Sequence, residues 1–302
     1  TSAFGGNHAE VNAINAVEDE SLLSESTLYV SLEPCAHFGK TPPCANLIIE
    51  KKIKRVVIAT LDPFSEVNGM GIKRLIEKGV DVKVGILEKE ARESNKRFFT
   101  FHEKKRPYII LKWAETSDGF VDKVRPSNVT ESLKITGESA NILVHKWRSE
   151  EQAIMVGKNT ALLDNPSLTT RTFEGKNPIR ILLDSTCSNP NSSNIFSAKS
   201  KTIVLNSVKN ETDGNTELVQ LKNLSNINEV LDKLVELGIQ SVLVEGGPSL
   251  HKSFYESDNW DEIRRFVSPI STPEGVSALS LEIEPNFTEQ VGKDKLYTYR
   301  NL

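Results

Sequence analysis

Several features that define other protein classes are scarce or missing in this chain. Its 302 residues include only three cysteines, too few for a disulfide framework, so cysteine usage indicates a reducing cytoplasm. No apolar run reaches the roughly 18–20 residues that a membrane span needs. The formal net charge is −4, and the basic residues form no stripe of the kind that binds nucleic acid. Membrane-spanning proteins and dedicated nucleic-acid binders are therefore not expected.

The chain instead contains a regular alternation of helix-like and strand-like segments. In the first hundred residues, the patterns predict helices at 9–17, 44–51 and 71–78 and strands at 27–32, 55–60 and 80–85. In the remainder they predict strands at 108–113, 152–156, 179–183, 202–205, 217–221 and 241–244, with helices at 139–149, 227–237 and 249–255. Such alternation is typical of α/β proteins with largely parallel sheets.

The length and one charged stretch predict two domains. At about 150 residues per domain, a chain of 302 residues is expected to form two. The segment from Glu103 to Pro107 is charged, ends in proline and interrupts the alternation, so we interpret it as a solvated connector. The predicted domains are therefore residues 1–103 and 104–302.

The clearest chemical signal lies in the first domain. His-Ala-Glu at residues 8–10 is followed by Pro-Cys at 34–35 and again at 43–44. A zinc site that activates water needs three protein ligands, an open fourth position and a carboxylate that is not a ligand. His8, Cys35 and Cys44 provide one nitrogen and two thiolates, and Glu10 is close enough in sequence to move protons. The motif predicts a catalytic zinc site.

These motifs resemble those of the zinc-dependent cytidine and deoxycytidylate deaminase superfamily. Eight residues separate the two cysteines here, and this long spacing is similar to that of the pyrimidine deaminases of riboflavin biosynthesis. The resemblance implies a cytidine-deaminase-like three-layer domain in which His8, Cys35 and Cys44 hold zinc and Glu10 shuttles protons. In this fold a helix and two strands precede the histidine motif, so we expect roughly 40 further residues upstream.

Two further residues of the first domain are candidates for contacts with the substrate. Asp62 follows a predicted strand, where the family typically has Asp-Pro-Asn-Pro, but Phe64 replaces the asparagine in this chain. Lys40 lies between the two cysteines and, with His37, could contact the phosphate or the base of a substrate. A solvated loop lysine is the alternative interpretation of Lys40.

The second domain lacks the Gly-x-Gly-x-x-Gly fingerprint, so an ordinary dinucleotide-binding fold is not indicated. It does contain Glu-Gly-Gly-Pro-Ser at residues 245–249, directly after a predicted buried strand. The glycines allow a ligand to approach the backbone, and the proline suits the first position of a helix whose free amides bind phosphate. Taken alone, the segment is also compatible with an ordinary glycine-rich turn.

Longer segments connect the second domain to the same biosynthetic family. The segments at 106–108, 117–119, 135–137, 156–171, 180–185 and 245–248 resemble the reductase half of the bifunctional riboflavin enzymes. The resemblance implies a dihydrofolate-reductase-like domain that uses NADPH. The implied cofactor-binding residues are Ala114, Lys134, Thr160, Asp164, Ser185, Gly246, Gly247, Pro248 and Ser249. The implied substrate-binding residues are Ser132, Arg148, Leu168, Arg171 and Glu245.

Physical chemistry supports part of this set. The guanidinium groups of Arg148 and Arg171 can grip a ribose 5-phosphate through paired hydrogen bonds. Lys134 departs from the family, which often has an aromatic residue at this position. Asp164 precedes Asn-Pro and is equally well explained as a structural cap.

Together, the two halves predict a bifunctional riboflavin biosynthesis enzyme. The resemblance implies hydrolytic deamination of a diaminohydroxyphosphoribosylaminopyrimidine, followed by NADPH reduction of its ribosyl group to ribityl. A phosphorylated pyrimidine is then the small-molecule partner, and a homo-oligomer is expected. One alternative is a nucleoside or nucleic-acid deaminase with an unrelated C-terminal domain, against which the long cysteine spacing and acidic charge argue. The other is a catalytically silent regulator, against which the complete zinc motif argues.

Overall fold

A computed structural model describes residues 6–38, 41–64, 68–125 and 131–301 of the chain. The chain divides into two compact units, Thr1–Lys104 and Lys105–Leu302, called here the N-terminal and the C-terminal unit. The division follows Lys104, whereas the boundary predicted from the sequence precedes it. Each unit has its own sheet and hydrophobic core.

The N-terminal unit is a parallel sheet with helices between its strands. Its helices are α1 (Ala9–Asn15), α2 (Cys44–Glu50), α3 (Met70–Glu77), α4 (Glu88–Ser94) and α5 (Lys96–Lys104), and its strands are β1 (Thr27–Val30), β2 (Arg55–Ile58) and β3 (Asp81–Val84). The strand order is β1-β2-β3, with parallel pairing throughout. Because β2 is central, Val56 and Ile58 are fully buried, and the side chains of Ile14, Ile48 and Leu75 from α1, α2 and α3 join the same core.

The C-terminal unit is larger. Its strands are β4 (Tyr108–Glu115), β5 (Phe120–Asp122), β6 (Ala153–Gly157), β7 (Ile179–Leu183), β8 (Thr202–Asn206), β9 (Glu211–Asp213), β10 (Thr216–Gln220), β11 (Ser241–Val244), β12 (Glu262–Val267), β13 (Val276–Ser277), β14 (Phe287–Val291) and β15 (Asp294–Arg300). Its α-helices are α6 (Glu138–Glu150), α7 (Lys158–Asp164), α8 (Ile227–Glu236) and α9 (Pro248–Glu256).

A ten-stranded sheet organises this unit. The order is β14-β15-β12-β4-β11-β6-β7-β8-β10-β9, and the strands from β12 to β10 in this order run parallel. β14, β15 and β9 pair antiparallel with their neighbours at the two edges. Strand β11 lies in the middle and all four of its residues are buried. In such sheets ligands bind beyond the carboxyl ends of the strands. The residues that follow β6 and β11 are therefore candidates for a ligand site.

The α/β class predicted for both halves is confirmed, but some local predictions are wrong. The segment 103–107 is not simply a solvated connector, because Glu103 and Lys104 end α5 and Arg106 forms a two-pronged ion pair with Asp261. Its Nη1 and Nη2 atoms lie 2.5 and 2.9 Å from the Asp261 carboxylate oxygens. The polar stretch before α8 contains the pair β9 and β10 rather than one strand.

Candidate functional site

Three potential metal ligands meet in the N-terminal unit. His8 immediately precedes α1, Cys35 lies in the loop after β1, and Cys44 begins α2. Nδ1 of His8 lies 3.6 Å from Sγ of Cys35 and 3.3 Å from Sγ of Cys44. One ligand atom from each residue lies within 4.8 Å of the other two. The structure thus brings together the three side chains that the sequence predicts as zinc ligands.

The two thiols share a hydrogen bond that prepares one of them as a thiolate. The thiol of Cys44 donates to Cys35, and its amide nitrogen lies 3.3 Å from the same sulfur atom. These hydrogen bonds outweigh the effect of burial and hold the pKa of Cys35 well below its usual range, at about 5. The pKa of Cys44 is raised, because its proton is the one that is shared. A divalent cation that displaces this proton would be held by two thiolates.

The residues present fit a catalytic zinc site. One imidazole nitrogen and two thiolates leave the fourth tetrahedral position open, which distinguishes a catalytic from a structural zinc. Glu10, in the first turn of α1, is not part of the ligand cluster but is in hydrogen-bond contact with Cys44. Burial raises the pKa of Glu10 above that of an ordinary glutamate. A carboxylate in this state is suited to accept and return a proton.

One buried carboxylate beside this site was not predicted from the sequence. Glu33 lies two residues before Cys35, is only 3% exposed, and accepts hydrogen bonds from backbone amides at the start of α3. A single glutamate in a loop is too common a pattern to be singled out. The Glu-Pro-Cys sequence at 33–35 was the only available indication.

Of the two residues predicted to contact the substrate in this unit, the structure describes one. Asp62 follows β2, is buried, and accepts a hydrogen bond of 2.8 Å from the amide of Phe64. Burial raises the pKa of Asp62, and the charges of Glu33 and Cys35 add to this effect. The ring of Phe64 lies beside His37, with a distance of 6.3 Å between ring centroids. Lys40 lies outside the described residues.

A second cluster of charged side chains lies in the C-terminal unit at the end of β11. Glu245 directly follows β11, and Arg148 reaches it from α6. Nε and Nη2 of Arg148 lie 2.8 and 2.7 Å from the two carboxylate oxygens, and Nζ of Lys112 on β4 lies 4.0 Å away. Burial alone would raise the pKa of Glu245, but the charges of Arg148 and Lys112 outweigh it and bring the pKa down to about 2.

This geometry shows a partner of Arg148 that was not predicted. Arg148 binds Glu245 with two atoms and lies 3.3 Å from the carbonyl oxygen of Thr169 with a third. Since a guanidinium group has five N–H donors, the contact of Arg148 and Arg171 with a phosphate stays a prediction. Arg171 remains exposed. Of the two arginines, Arg148 is thus the one held by a buried carboxylate. Lys112 was not predicted as a site residue, since it lies among apolar residues in β4.

A hydrogen bond to a histidine of α6 fixes the segment that carries Arg171. The amide of Arg171 donates to Nδ1 of His145 on α6, with a distance of 3.1 Å. Burial lowers the pKa of His145, as do the charges of Arg148 and Arg171, which keeps Nδ1 available as an acceptor. Leu168, predicted as a substrate contact, is 3% exposed and belongs to a hydrophobic core cluster, so its side chain is committed to packing.

The glycine-rich turn connects β11 to α9 and packs against residues at and after the end of β6. Pro248 occupies the start of α9, as predicted, and the amide of Gly247 donates to Oγ1 of Thr160 at 3.0 Å. A Cβ atom on Gly246 would lie 2.9 Å from the amide nitrogen of Gly157. Gly246 is thus required for close packing of two backbone segments, rather than only for the approach of a ligand.

Several other residues predicted for the second domain lie at the carboxyl ends of parallel strands of the same sheet: Ala114 near the end of β4, Thr160 after β6 and Ser185 after β7. Asp164, at the end of α7, is ion-paired with Arg125, which supports a structural role for this aspartate. Ala114 is a partly buried residue of β4. Ser132, Lys134 and Ser185 are exposed.

Comparison with known proteins identifies the family. Residues 3–60 match the family model described as cytidine and deoxycytidylate deaminase zinc-binding region, and residues 107–282 match that of the RibD C-terminal domain. The riboflavin biosynthesis protein RibD of Aquifex aeolicus is 38% identical over 98% of this chain and 86% of its own length. The chain belongs to the RibD family. The RibD of Bacillus amyloliquefaciens is 39% identical over 88% of this chain and 73% of its own length.

Solved RibD structures match both units. A deaminase/reductase of Thermotoga maritima, named as diaminohydroxyphosphoribosylaminopyrimidine deaminase and 5-amino-6-(5-phosphoribosylamino)uracil reductase, superimposes with a TM-score of 0.87 at 36% identity. The match covers 99% of this chain and 86% of that one. RibD of Acinetobacter baumannii gives a TM-score of 0.86 at 27% identity, over 98% of this chain and 86% of that one.

Membership of the RibD family establishes the activity of the chain. It is a bifunctional deaminase/reductase of riboflavin biosynthesis that acts on a small pyrimidine and depends on zinc and NADPH. The predictions of a riboflavin enzyme, of both reactions and of both cofactors are confirmed. None of the helices in the described ranges has an apolar stretch of the length needed to span a bilayer.

Proposed function

We propose that the N-terminal unit deaminates 2,5-diamino-6-(5-phosphoribosylamino)pyrimidin-4-one at the site formed by His8, Cys35, Cys44 and Glu10. The observation that carries this proposal is the convergence of the imidazole and the two thiols, with Glu10 in contact with Cys44. The name of the related Thermotoga maritima enzyme supports the choice of substrate.

Zinc held by His8, Cys35 and Cys44 would supply a water molecule of lowered pKa as the nucleophile. The chain's own task is then proton transfer and orientation. Glu10 accepts the proton of the attacking water and returns it to the amino group that leaves as ammonia. Asp62 contacts the polar edge of the pyrimidine, and Lys40, as predicted from the sequence, contacts its phosphate or base.

We further propose that the C-terminal unit binds NADPH along the turn Gly246–Ser249 with Thr160, Ala114, Lys134, Asp164 and Ser185 around it. NADPH supplies the hydride that converts the ribosyl group to ribityl. The free amides at the start of α9, a helix of nine residues that begins at Pro248, would face the phosphates of the cofactor.

The substrate of this second reaction is proposed to lie over Glu245. The carboxylate of Glu245 is held ionised by Arg148 and Lys112, so it can accept hydrogen bonds from ribose hydroxyl groups. Arg171 binds the 5-phosphate from the exposed side, with Ser132 and the backbone of Leu168 completing the contacts. We also propose that the substrate is phosphorylated, that the protein forms a homo-oligomer in the cytoplasm, and that it has no nucleic-acid partner.

The role of Arg171 is tested by steady-state kinetics of NADPH oxidation. Replacing Arg171 by alanine is expected to raise KM for the phosphorylated substrate by about 10- to 100-fold, since a charge-assisted contact contributes about 1.5–3 kcal/mol. KM for the dephosphorylated nucleoside should not change. Lys176→Ala removes another exposed cation from the same loop and serves as the matched control. Equal KM values for the arginine and the lysine variants would contradict the assignment.

A further inference from the structure

The carboxylate of Glu33 lies where three parts of the N-terminal unit meet. Its Oε1 atom accepts the amides of Gly71 and Ile72 at 2.9 and 3.2 Å, and its Oε2 atom accepts the amide of Gly69 at 2.9 Å. The amide of Asp62 also points to Oε2, at 3.4 Å. One side chain therefore accepts hydrogen bonds from four backbone amides, which belong to residues 29 to 39 positions further along the chain.

These contacts explain how the carboxylate can be buried. A buried charge is costly unless its oxygens are fully hydrogen-bonded, and Glu33 is only 3% exposed. Three of its donors are amides at the start of α3, the positive end of an eight-residue helix. Glu33 thus fixes the start of α3 and, through the amide of Asp62, the segment that follows β2.

The same start of α3 also packs directly on the segment that carries a zinc ligand. A Cβ atom on Gly71 would lie 1.9 Å from the carbonyl oxygen of Pro34, so the two backbones are in close contact. From the next turn of the helix, Nη1 of Arg74 donates to the carbonyl oxygen of Ala36 at 3.1 Å. The residues on both sides of Cys35 are therefore held against α3.

We propose that Glu33 is a positioning residue of the deaminase, which holds the ligand Cys35 and the substrate residue Asp62 in one fixed arrangement. It touches neither zinc nor substrate, and acts through the backbone on both sides of the site. This inference rests on the proposed deaminase function of the N-terminal unit. Removing one of its oxygen acceptors should loosen the metal site and the substrate contact together.

The test compares Glu33→Gln with the wild-type full-length holoenzyme. Glutamine keeps the shape of the side chain but replaces one acceptor oxygen by an NH2 group that faces backbone amides. We expect zinc affinity, measured by competition with a chromophoric chelator, to fall by about 10- to 100-fold, as for other residues that orient metal ligands. With zinc in excess, kcat for ammonia release should still fall and KM should rise, whereas NADPH oxidation by the C-terminal unit is unchanged.

A spectroscopic measurement separates positioning from a general loss of stability. In the cobalt-substituted enzyme, the thiolate-to-cobalt bands report the geometry at Cys35, and Glu33→Gln should shift them. Glu50→Gln removes an exposed carboxylate from the end of α2 and is the matched control. A lower melting temperature with unchanged zinc affinity, cobalt spectrum and deaminase kinetics would overturn the proposal, since Glu33 would then be only structural.

Two further variants decide the matter if Glu33→Gln fails to fold. Glu33→Asp keeps the charge on a shorter side chain, and Arg74→Met removes the contact with Ala36 from the other side. Both should weaken zinc binding in the same direction, and normal zinc affinity in both would overturn the proposal. A different result would separate the two proposals. If the variants bound zinc more weakly but the wild-type enzyme released no ammonia, the deaminase function would be contradicted and the positioning role would stand.

Discussion

At the scale of single residues, the pair of Arg148 and Glu245 shows how burial changes the role of a charged group. An exposed arginine is free to bind phosphate, whereas the side chain of Arg148 is 12% exposed and is paired at 2.7 Å with Glu245. The pair leaves Glu245 ionised in a site where burial alone would favour its protonated form. The pair therefore keeps a negative charge in place at the end of β11.

Replacing Arg148 by methionine tests whether the ionised state of Glu245 depends on this pair. Because the partner charge is removed, we expect the unfolding free energy of the C-terminal unit to fall by about 3–5 kcal/mol and the pKa of Glu245 to rise. Urea denaturation measures the first effect, and the pH dependence of NADPH oxidation measures the second. Lys146→Met, on the exposed side of the same helix, is the control. If both variants were equally stable, the buried pair would have no structural importance.

At the scale of secondary-structure elements, the turn after β11 depends on close packing of two strand ends. The Cβ atom introduced by Gly246→Ala would lie 2.7 Å from Cδ2 of Leu250 and 2.9 Å from the backbone nitrogen of Gly157. A Cβ atom on Gly247 would only approach Oγ1 of Thr160, at 3.4 Å. The two neighbouring glycines are therefore under different constraints.

A pair of alanine variants tests this difference. Gly246→Ala should lower the unfolding free energy by about 1–3 kcal/mol, because backbone atoms must move to make room. Gly247→Ala should leave the free energy of unfolding within about 0.5 kcal/mol of the wild type. Thermal and urea unfolding of the two variants provide the measurement. The interpretation fails if Gly247→Ala is the less stable of the two.

The elements that the sequence predicts well are those with simple patterns. Strands β7 and β11 are short, mostly apolar segments between polar ones, with Arg180 and Ser241 as their polar residues, and their bounds agree with the prediction residue for residue. The prediction missed β12, β14 and β15, where charged residues such as Arg264 and Arg265 interrupt the apolar pattern. Arg264 is paired with Glu262 of the same strand, and Arg265 is paired with Glu115 of β4, a contact that only the folded sheet creates.

The same contrast holds for the candidate sites. The zinc ligands could be found because histidine and cysteine at this spacing are rare. Lys112 and Glu33 could not, because each is an ordinary residue in a common context, and only the three-dimensional structure shows what surrounds it. Arg148 was found for its charge, but its pairing with Glu245 could not be predicted, since the two residues lie 97 positions apart.

At the scale of the whole molecule, acid should destabilise the C-terminal unit through its buried histidine. His251 in α9 is 2% exposed, and burial lowers its pKa to about 4 from an ordinary value of 6.5. Between pH 6.5 and about 4, the unfolded chain therefore binds a proton at His251 that the folded chain does not bind. The contribution of neutral His251 to the free energy of unfolding is fully present above pH 6.5 and is lost as the pH falls from 6.5 to about 4.

The size of this effect is measurable. At 1.36 kcal/mol for each unit of pKa, His251 accounts for at most about 3 kcal/mol of unfolding free energy across that pH range. Urea unfolding at several pH values should show the decline in the wild type and a smaller one in His251→Gln, which keeps a donor for the carbonyl of Val244. His145 contributes in the same direction. An identical pH dependence in the two proteins would contradict this account.

The central claim is that one chain carries two separate chemistries, with Glu10 serving the first and Glu245 the second. The most direct test assays ammonia release from the diaminopyrimidine ribotide and NADPH oxidation with the deaminated substrate, in parallel, for full-length wild type, Glu10→Gln and Glu245→Gln. We predict that Glu10→Gln loses ammonia release by at least about 100-fold and keeps NADPH oxidation, and that Glu245→Gln does the reverse. Ammonia release that survives in Glu10→Gln, or loss of both activities in either variant, would contradict the claim.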